Sequence, residues 1–179
     1  MTVAKRTVLF GAVAFLVSAC AGAGPTTSAL DASVRSGIRI SDVTVDVSAI
    51  GAQSQGRPVP AATVKSSVAQ STATYLKGQG TGTRNVRADV VITSVSLITA
   101  GQSMIIGGES IMRGTLSLVD AQTGDMVLPA TQISAGGGGY AVGGIIAVAT
   151  RDDVDTEMKQ LAQQFAARAH VLVFGKKDA

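Results

Sequence analysis

Apolar and polar residues alternate in the first part of the chain in a way that predicts β-strands. In the segment 37–48, Ile38 and Ile40 share one phase and Val43 and Val45 share the other. Alternation of β-branched residues indicates a strand with one buried face, and the change of phase near 41–42 predicts a bulge. The segment 85–99 alternates in the same way and predicts a longer strand with a second bulge.

Two further strands are predicted at 111–120 and 126–134, joined by the tight turn DAQTGD. Asp120 starts this turn, and Gly124 supplies the residue that must adopt a positive φ. Pro129 cannot donate a hydrogen bond to a neighbouring strand. The last strand is therefore predicted to lie at an edge of the sheet or to be interrupted there.

Helical spacing predicts two helices. Apolar residues recur at three- and four-residue intervals from Pro60 to Leu76, and again from Asp152 to about Phe174. This spacing places the apolar residues on one face of each helix. At the start of the second helix, Thr150 and Asp153 have the spacing of a capping box.

The order β-α-β-β-β-α predicts an α+β fold, with one mostly antiparallel sheet of about four strands and two helices. A helical crossover joins the first two strands, which makes them parallel neighbours, and the later hairpins reverse the chain direction. On this topology the loops 49–58, 100–110 and 135–150 leave the same end of the sheet, and the chain enters the domain at the other end.

The N-terminus has the three parts of a secretory signal, namely a basic start, an apolar centre and small residues before a cleavage site. Lys5 and Arg6 precede the apolar run 8–17, and small residues lead from there to Cys20. The run is shorter than the roughly 20 apolar residues that a stable transmembrane helix needs. We therefore expect residues 1–19 to be a signal peptide.

The stretch Val17-Ser18-Ala19-Cys20 resembles the lipobox of bacterial lipoproteins. The resemblance implies cleavage before Cys20 and a diacylglyceryl group, with fatty acids such as palmitate, on its sulfur. Two chains suit stable anchoring, because a single acyl chain holds a protein only marginally. Ala21 stands where an aspartate would resemble the inner-membrane retention signal, so the resemblance implies the outer membrane more than the inner. An ordinary signal peptide with a spare thiol is the alternative.

Residues 20–36 are small and polar without a clear period, and they predict a flexible tether after the lipidated cysteine. Residues 37–176 suit a single domain. The formal charge of +3 includes Lys5 and Arg6, so the chain after cleavage carries 13 Lys and Arg against 12 Asp and Glu. A nearly neutral chain with few aromatic residues offers little for nucleic acid to bind, and we expect no nucleic-acid partner.

No catalytic, cofactor or metal site is expected. Gly136, Gly138 and Ala141 give a loose GxGxxA pattern, but no helix begins directly after it, as a phosphate site requires. The acidic residues within 152–157 suit a helix N-terminus more simply than a hard cation. His170 is displaced from the apolar stripe of its helix and is expected to be solvated.

Two of the loops predicted to share one end of the sheet contain apolar, glycine-flanked stretches, SMIIGG at 103–108 and GGIIAVA at 143–149. Uncharged apolar loops are poor water-facing surfaces. They would therefore pack on each other, contact a protein partner or a second copy of the chain, or insert into a membrane. The candidate interaction surface consists of Ile105, Ile106, Tyr140, Ile145 and Ile146.

The body also resembles uncharacterised small α+β envelope lipoproteins of proteobacteria, in which a hairpin like LSLVDAQTGDMVL precedes a glycine-rich loop and a closing helix. The sequence thus predicts a lipid-anchored, non-enzymatic interaction or assembly protein whose body faces the periplasm. A module that binds a small molecule or a glycan at the same end of the sheet is the alternative.

Overall fold

A computed structural model of the chain describes residues 27–50, 55–98, 110–136 and 153–176. These ranges contain three α-helices and five β-strands. In chain order the elements are α1 (Ala32–Gly37), β1 (Ile38–Asp46), β2 (Gln55–Gly56), α2 (Ala61–Leu76), β3 (Arg84–Leu97), β4 (Ile111–Asp120), β5 (Met126–Gly136) and α3 (Val154–Phe174).

The four long strands form one sheet in the order β1-β3-β4-β5. β1 runs parallel to β3, whereas β4 and β5 each run antiparallel to the preceding strand, and β2 adds a short parallel pairing at the end of β3. The predicted α+β class and the order of the long elements are confirmed. The sheet is mixed rather than mostly antiparallel, because the crossover through α2 brings β1 and β3 together in the same direction.

Both predicted bulges are present. The pairing of β1 with β3 shifts register between Ile40 and Asp42, where the sequence changes phase. The pairing of β3 with β4 shifts between Ile92 and Ser94. An extra residue turns the following side chains to the other face of the strand, so each phase change in the sequence keeps the apolar residues on the buried face.

β5 is an edge strand, as Pro129 predicts. The register between β4 and β5 shifts on both sides of Leu118, and Pro129 lies within the first irregularity, between Leu128 and Thr131. A proline at such a position sacrifices no regular ladder hydrogen bond. Proline and bulges also make an edge strand a poor template for unwanted strand pairing.

The two long helices cover one face of the sheet. α2 and α3 pack against each other, α2 also contacts β1, and α3 contacts β5. Phe165 of α3 is fully buried together with Ile92 and Leu116 of the sheet. The other face carries polar side chains, where the Thr44 hydroxyl donates to Asp89 at 2.6 Å. The described part of the chain is therefore a two-layer sandwich with one solvated sheet face.

The N-terminal segment packs against the end of α3. Ala29 donates its backbone N–H to Leu172 O at 2.8 Å, and the Ser28 hydroxyl donates to Val173 O at 2.7 Å. Leu30 is buried in the core. These bonds satisfy carbonyl groups that a helix end leaves without partners. Residues 28–30, which the sequence assigns to the flexible tether 20–36, are therefore held against the body.

α3 begins at Val154 with Asp153 as its N-cap. The Asp153 carboxylate accepts a hydrogen bond from the backbone N–H of Asp155 at 3.2 Å and another from the Thr156 hydroxyl. The Thr156 bond is the main reason that the pKa of Asp153 lies below its usual range. Asp153 is thus the cap itself, whereas Thr150, the predicted cap, lies outside the described residues.

The turn between β4 and β5 is organised by Asp120. Its carboxylate accepts from Arg84 Nε at 2.6 Å and from the backbone N–H groups of Gln122 at 2.8 Å and Thr123 at 3.0 Å. Gly124 has a φ of 78°, as the sequence predicts. The bond from Arg84, followed by those from the turn backbone, lowers the pKa of Asp120 to about 2.

Replacing Asp120 with asparagine is expected to remove part of the acid sensitivity of the fold. The folded pKa of about 2 lies below the unfolded value of about 3.9, so the ionised carboxylate stabilises the fold above that value. This stabilisation disappears as the pH falls from about 4 to about 2. Urea denaturation at stepwise lower pH should show the difference between the parent and Asp120→Asn shrinking across this interval. A difference that stays constant from pH 7 to pH 2 would contradict the assignment.

Candidate functional site

The candidate site is the end of the sheet from which the loops leave, here called the loop end. Three stretches outside the described residues start and finish there: 51–54, 99–109 and 137–152. Their described flanks are the ends of β1, β3 and β5 and the starts of β2, β4 and α3. The predicted convergence of the three loops is therefore confirmed for the residues from which they leave.

A buried ion pair joins these flanks. The guanidinium of Arg57, just after β2, donates to one carboxylate oxygen of Glu157 in the first turn of α3. The Ser110 hydroxyl, just before β4, donates to the other oxygen. Arg57 and Glu157 have side-chain exposures of 16% and 10%. We call Arg57, Ser110 and Glu157 the clasp.

The clasp also holds the end of β3. Arg57 donates from its guanidinium to Ile98 O at 3.2 Å and from its backbone N–H to Leu97 O at 2.7 Å. The Ile98 N–H donates in turn to the Ser110 hydroxyl oxygen at 3.0 Å. Arg57 Nε is buried without a hydrogen-bond partner among the described residues. One connected network therefore fixes four chain segments that border the loops.

The end of β5 is fixed to the same region through Gly136. This residue pairs with Ile111 in the sheet and donates its N–H to Gln164 Oε1 of α3 at 3.1 Å. Its φ of 76° is one that L side chains rarely adopt, and a Cβ atom built on it would lie 1.9 Å from Ser110 O. Only glycine fits here without displacing Ser110 or the strand end.

The clasp fixes the described residues that flank the loops. Arg57 Nη2, the Ser110 hydroxyl and both Glu157 carboxylate oxygens are hydrogen-bonded within the protein, whereas Arg57 Nε is buried without a partner among the described residues. A mostly buried guanidinium–carboxylate pair is stable only when both groups are well hydrogen-bonded, which is the case here. Such an arrangement fixes the described residues from which the loops leave.

The sequence-predicted interaction residues lie outside the described part of the chain. The lipobox residues lie outside it too. These two groups are the surface residues Ile105, Ile106, Tyr140, Ile145 and Ile146, and the signal residues Val17, Ser18, Ala19 and Cys20. The structure thus describes the framework that carries the loops, and the two predicted sites remain predictions.

Sequence reasoning missed the clasp. The sequence places Glu157 among several acids that suit a helix N-terminus, whereas its side chain is buried. A signal was present, because Glu157 lies three residues after Val154 and four before Leu161, so an acidic residue falls on the apolar face of the helix. Nothing in the sequence near Arg57 or Ser110 identifies them as its partners, since 100 and 47 residues of chain, respectively, separate them from Glu157.

The other candidate chemistry falls at scattered positions. Gly136 ends β5, whereas Gly138 and Ala141 lie outside the described residues. Within the described ranges no three His, Cys, Asp or Glu side chains are grouped so that they could hold a metal ion. His170 is half-buried rather than solvated, with its ring centroid 5.2 Å from that of Phe174, and this burial lowers its pKa.

A shallow depression lies on the sheet across β3, β4 and β5. Its volume is about 90 Å³, and it is lined by Thr93, Arg113, Gly114, Thr115, Gln132 and Ile133. Sites for drug-sized ligands usually enclose about 300–1,000 Å³. The depression is therefore too small to favour the small-molecule or glycan alternative.

The described residues define a class of structure: a two-layer α+β sandwich whose loop end is tied together by a buried ion pair. No described helix is long and apolar enough to cross a lipid bilayer. No protein-family model and no curated protein sequence matches the chain.

Some solved structures show a distant similarity. The PelC dodecamer from Paraburkholderia phytofirmans is 11% identical with a TM-score of 0.39, over 86% of this chain and 94% of that one. A DUF330 protein from Xanthomonas campestris is 10% identical with a TM-score of 0.39, over 82% and 93%. A provisionally assigned lipoprotein from Caulobacter crescentus CB15 is 16% identical with a TM-score of 0.34, over 71% and 85%. Similarity at this level assigns no function to the chain.

Proposed function

We propose that the chain is a lipid-anchored envelope protein whose body faces the periplasm and whose loop end docks a protein partner or a second copy of itself. It acts by binding rather than by catalysis. The observation that carries this proposal is the clasp, because it connects the flanks of three loops to one rigid framework. A preorganised framework lowers the entropy that loops lose when they bind.

The sequences of two of these loops support a docking surface. They contain the adjacent pairs Ile105-Ile106 and Ile145-Ile146, each beside glycines and without a charged neighbour in SMIIGG and GGIIAVA. Contiguous apolar surface on a folded protein is typical of interaction sites. The clasp charges are mostly buried and paired within the protein, so they add little charge to this surface.

The position of the N-terminal segment supports an anchor at the opposite end. Ser28 and Ala29 bind the C-terminal end of α3, whereas the clasp residue Glu157 lies in the first turn of that helix. A helix of 21 residues spans about 31 Å at 1.5 Å per residue. An anchor on Cys20 therefore attaches to the end farthest from the loops, which leaves the loop end accessible to a partner.

Replacing Ile145 and Ile146 with serine is expected to abolish self-association or partner binding while the fold is retained. Loss of two buried isoleucine side chains from an interface removes the apolar contact that drives association. Size-exclusion chromatography with light scattering would measure the mass of the parent and of the double variant.

A matched control for this test is Met126→Ser. Met126 is 62% exposed and lies at the start of β5, at the end opposite the loops. Its replacement should leave the association unchanged. A parent that is already monomeric and captures no partner, but melts at a higher temperature with a small ligand or glycan, would instead support the alternative function.

Replacing Cys20 with serine is expected to release the protein from the membrane fraction. The lipid chains that the lipobox resemblance implies are attached through the cysteine sulfur, which serine lacks. Fractionation followed by detection of the body would measure the change, and mass spectrometry of the parent should find acyl chains on the N-terminal peptide. If Cys20→Ser remains wholly in the membrane fraction, the lipid-anchor proposal is wrong.

A further inference from the structure

The end of the body opposite the loops, here called the base, is where the N-terminal segment enters. Ser28 is held there by Val173 O, and its own hydroxyl oxygen accepts from the Leu30 N–H at 3.0 Å. Gly175 lies directly against Ser28 and the Arg35 guanidinium. The chain is therefore fixed to the base at a defined point before it continues toward Cys20.

The length of the remaining segment limits the distance of the base from an anchor. Ser28 follows Cys20 by eight residues, and eight residues reach at most about 29 Å when fully extended. A flexible segment of this length has a root-mean-square span of only about 16 Å. If Cys20 carries lipid, the base stays within reach of the phospholipid headgroups.

Cations surround the point of entry. Arg35 is half-buried in the last turn of α1, Arg39 is exposed at the start of β1, and Lys176 is exposed just after α3. None of the three has an ion-pair partner among the described residues. Asp31, also exposed, precedes α1 and offsets one of these charges.

Among the described residues, the other charges of the base largely cancel. Arg84 pairs with Asp120 at 2.6 Å, and Lys77 pairs with Asp42 at 3.3 Å. Asp125 lies at the β4–β5 turn, two strands away from β1 in the sheet. Within the described part of the chain, the uncompensated positive charge therefore lies on the side of the base where the N-terminal segment enters.

We propose that Arg35, Arg39 and Lys176 form a membrane-facing surface that binds anionic phospholipid headgroups and holds the body upright, with the loop end directed away from the bilayer. This inference rests on the proposed lipid anchor. Each basic residue near an anionic membrane strengthens binding about fivefold. Three residues together would favour the base-down orientation by roughly 100-fold, and high salt would remove the preference because the Debye length falls to about 3 Å at 1 M.

The test uses the lipidated protein reconstituted into vesicles. Cys20 is the only cysteine of the chain, so once it is acylated an introduced cysteine is the only free thiol for a fluorescent donor. One donor is placed at Ser36→Cys on the base, and another at Ala49→Cys beyond the end of β1, both at exposed positions. Energy transfer to acceptors on lipid headgroups is measured in phosphatidylcholine vesicles with and without phosphatidylglycerol.

The charge variants are matched in number. Arg35→Gln, Arg39→Gln and Lys176→Gln are combined in one protein. The control combines Lys65→Gln, Arg113→Gln and Lys159→Gln, three exposed cations toward the loop end that have no ion-pair partner among the described residues. Both proteins lose the same net charge, so any difference between them reports where the charge lies.

We expect phosphatidylglycerol to increase energy transfer from the donor at Ser36→Cys more than from the donor at Ala49→Cys. The base variant and 1 M salt should both abolish this increase, and the control variant should keep it. Equal transfer with and without phosphatidylglycerol, or an equal effect of both charge variants, overturns the inference while leaving the anchor intact. A protein that fails to float with the vesicles at all overturns the lipid anchor instead.

Discussion

Replacement of Glu157 by alanine is expected to lower the free energy of unfolding by about 3–5 kcal/mol, because removing one partner of a buried ion pair leaves the other charge buried and unpaired. The charge left behind is that of Arg57, whose side chain is only 16% exposed. The Ser110 hydroxyl loses its acceptor in the same change. Equilibrium unfolding in urea, followed by circular dichroism, would measure the loss.

Two comparisons separate this effect from ordinary truncation. The combined variant Arg57→Met and Glu157→Leu should recover most of the lost stability, since replacing both charges by apolar groups is often neutral or stabilising. Arg87→Ala breaks the ion pair with Asp89, in which the two side chains are 44% and 25% exposed. This substitution should lower the free energy of unfolding by less than about 1 kcal/mol. If Glu157→Ala costs no more than Arg87→Ala, the clasp does not stabilise the fold.

The same variant tests whether the clasp orders the loop flanks. The Ile98 N–H donates to the Ser110 hydroxyl oxygen, and that hydroxyl donates to Glu157. Local opening is expected to expose this N–H to solvent more often when Glu157 is absent. Amide hydrogen exchange at Ile98 should therefore accelerate more than exchange at the β4–β5 turn, where Asp120 makes bonds that the substitution leaves intact.

The main elements of the fold could be predicted because their signals are local. Phase changes marked the bulges at Ile40–Asp42 and Ile92–Ser94, and Gly124 marked a turn residue of positive φ. Pro129 marked an edge strand because proline lacks the N–H that a central strand must donate. In each case a few neighbouring residues carry the constraint, so one sequence is enough to show it.

The attachment of the N-terminal segment could not be predicted in this way. Residues 28–31 are a short stretch of two polar and two apolar residues, and only Leu30 becomes buried. The segment is held by carbonyl groups at Leu172 and Val173, about 145 residues further along the chain. Such bonds depend on where the tertiary fold brings a helix end, and a window of local sequence carries no record of that position.

One part of the candidate site could be predicted from local sequence patterns and the other part could not. Its convergence at one end follows from strand order and the handedness of crossovers, which sequence patterns can supply. The hydrogen-bond network of the clasp could not be predicted from these patterns, because its residues Arg57, Ser110 and Glu157 come from three separate segments. A buried acid on an apolar helix face is the single local signal, and that signal identifies the need for a partner without identifying the partner.

Gly136→Ala is expected to destabilise the protein by about 2–5 kcal/mol, from about 1–2 kcal/mol for a left-handed backbone conformation and about 1–3 kcal/mol for overpacking. The φ of Gly136 is 76°, and an added Cβ would lie 1.9 Å from Ser110 O. Gly124→Ala is the matched control, because Gly124 has a φ of 78° but no atom within 4 Å of the added Cβ. It should therefore show only the backbone cost in the same urea titration. Equal losses in the two variants would mean that Gly136 is not pressed against the segment that carries the clasp serine.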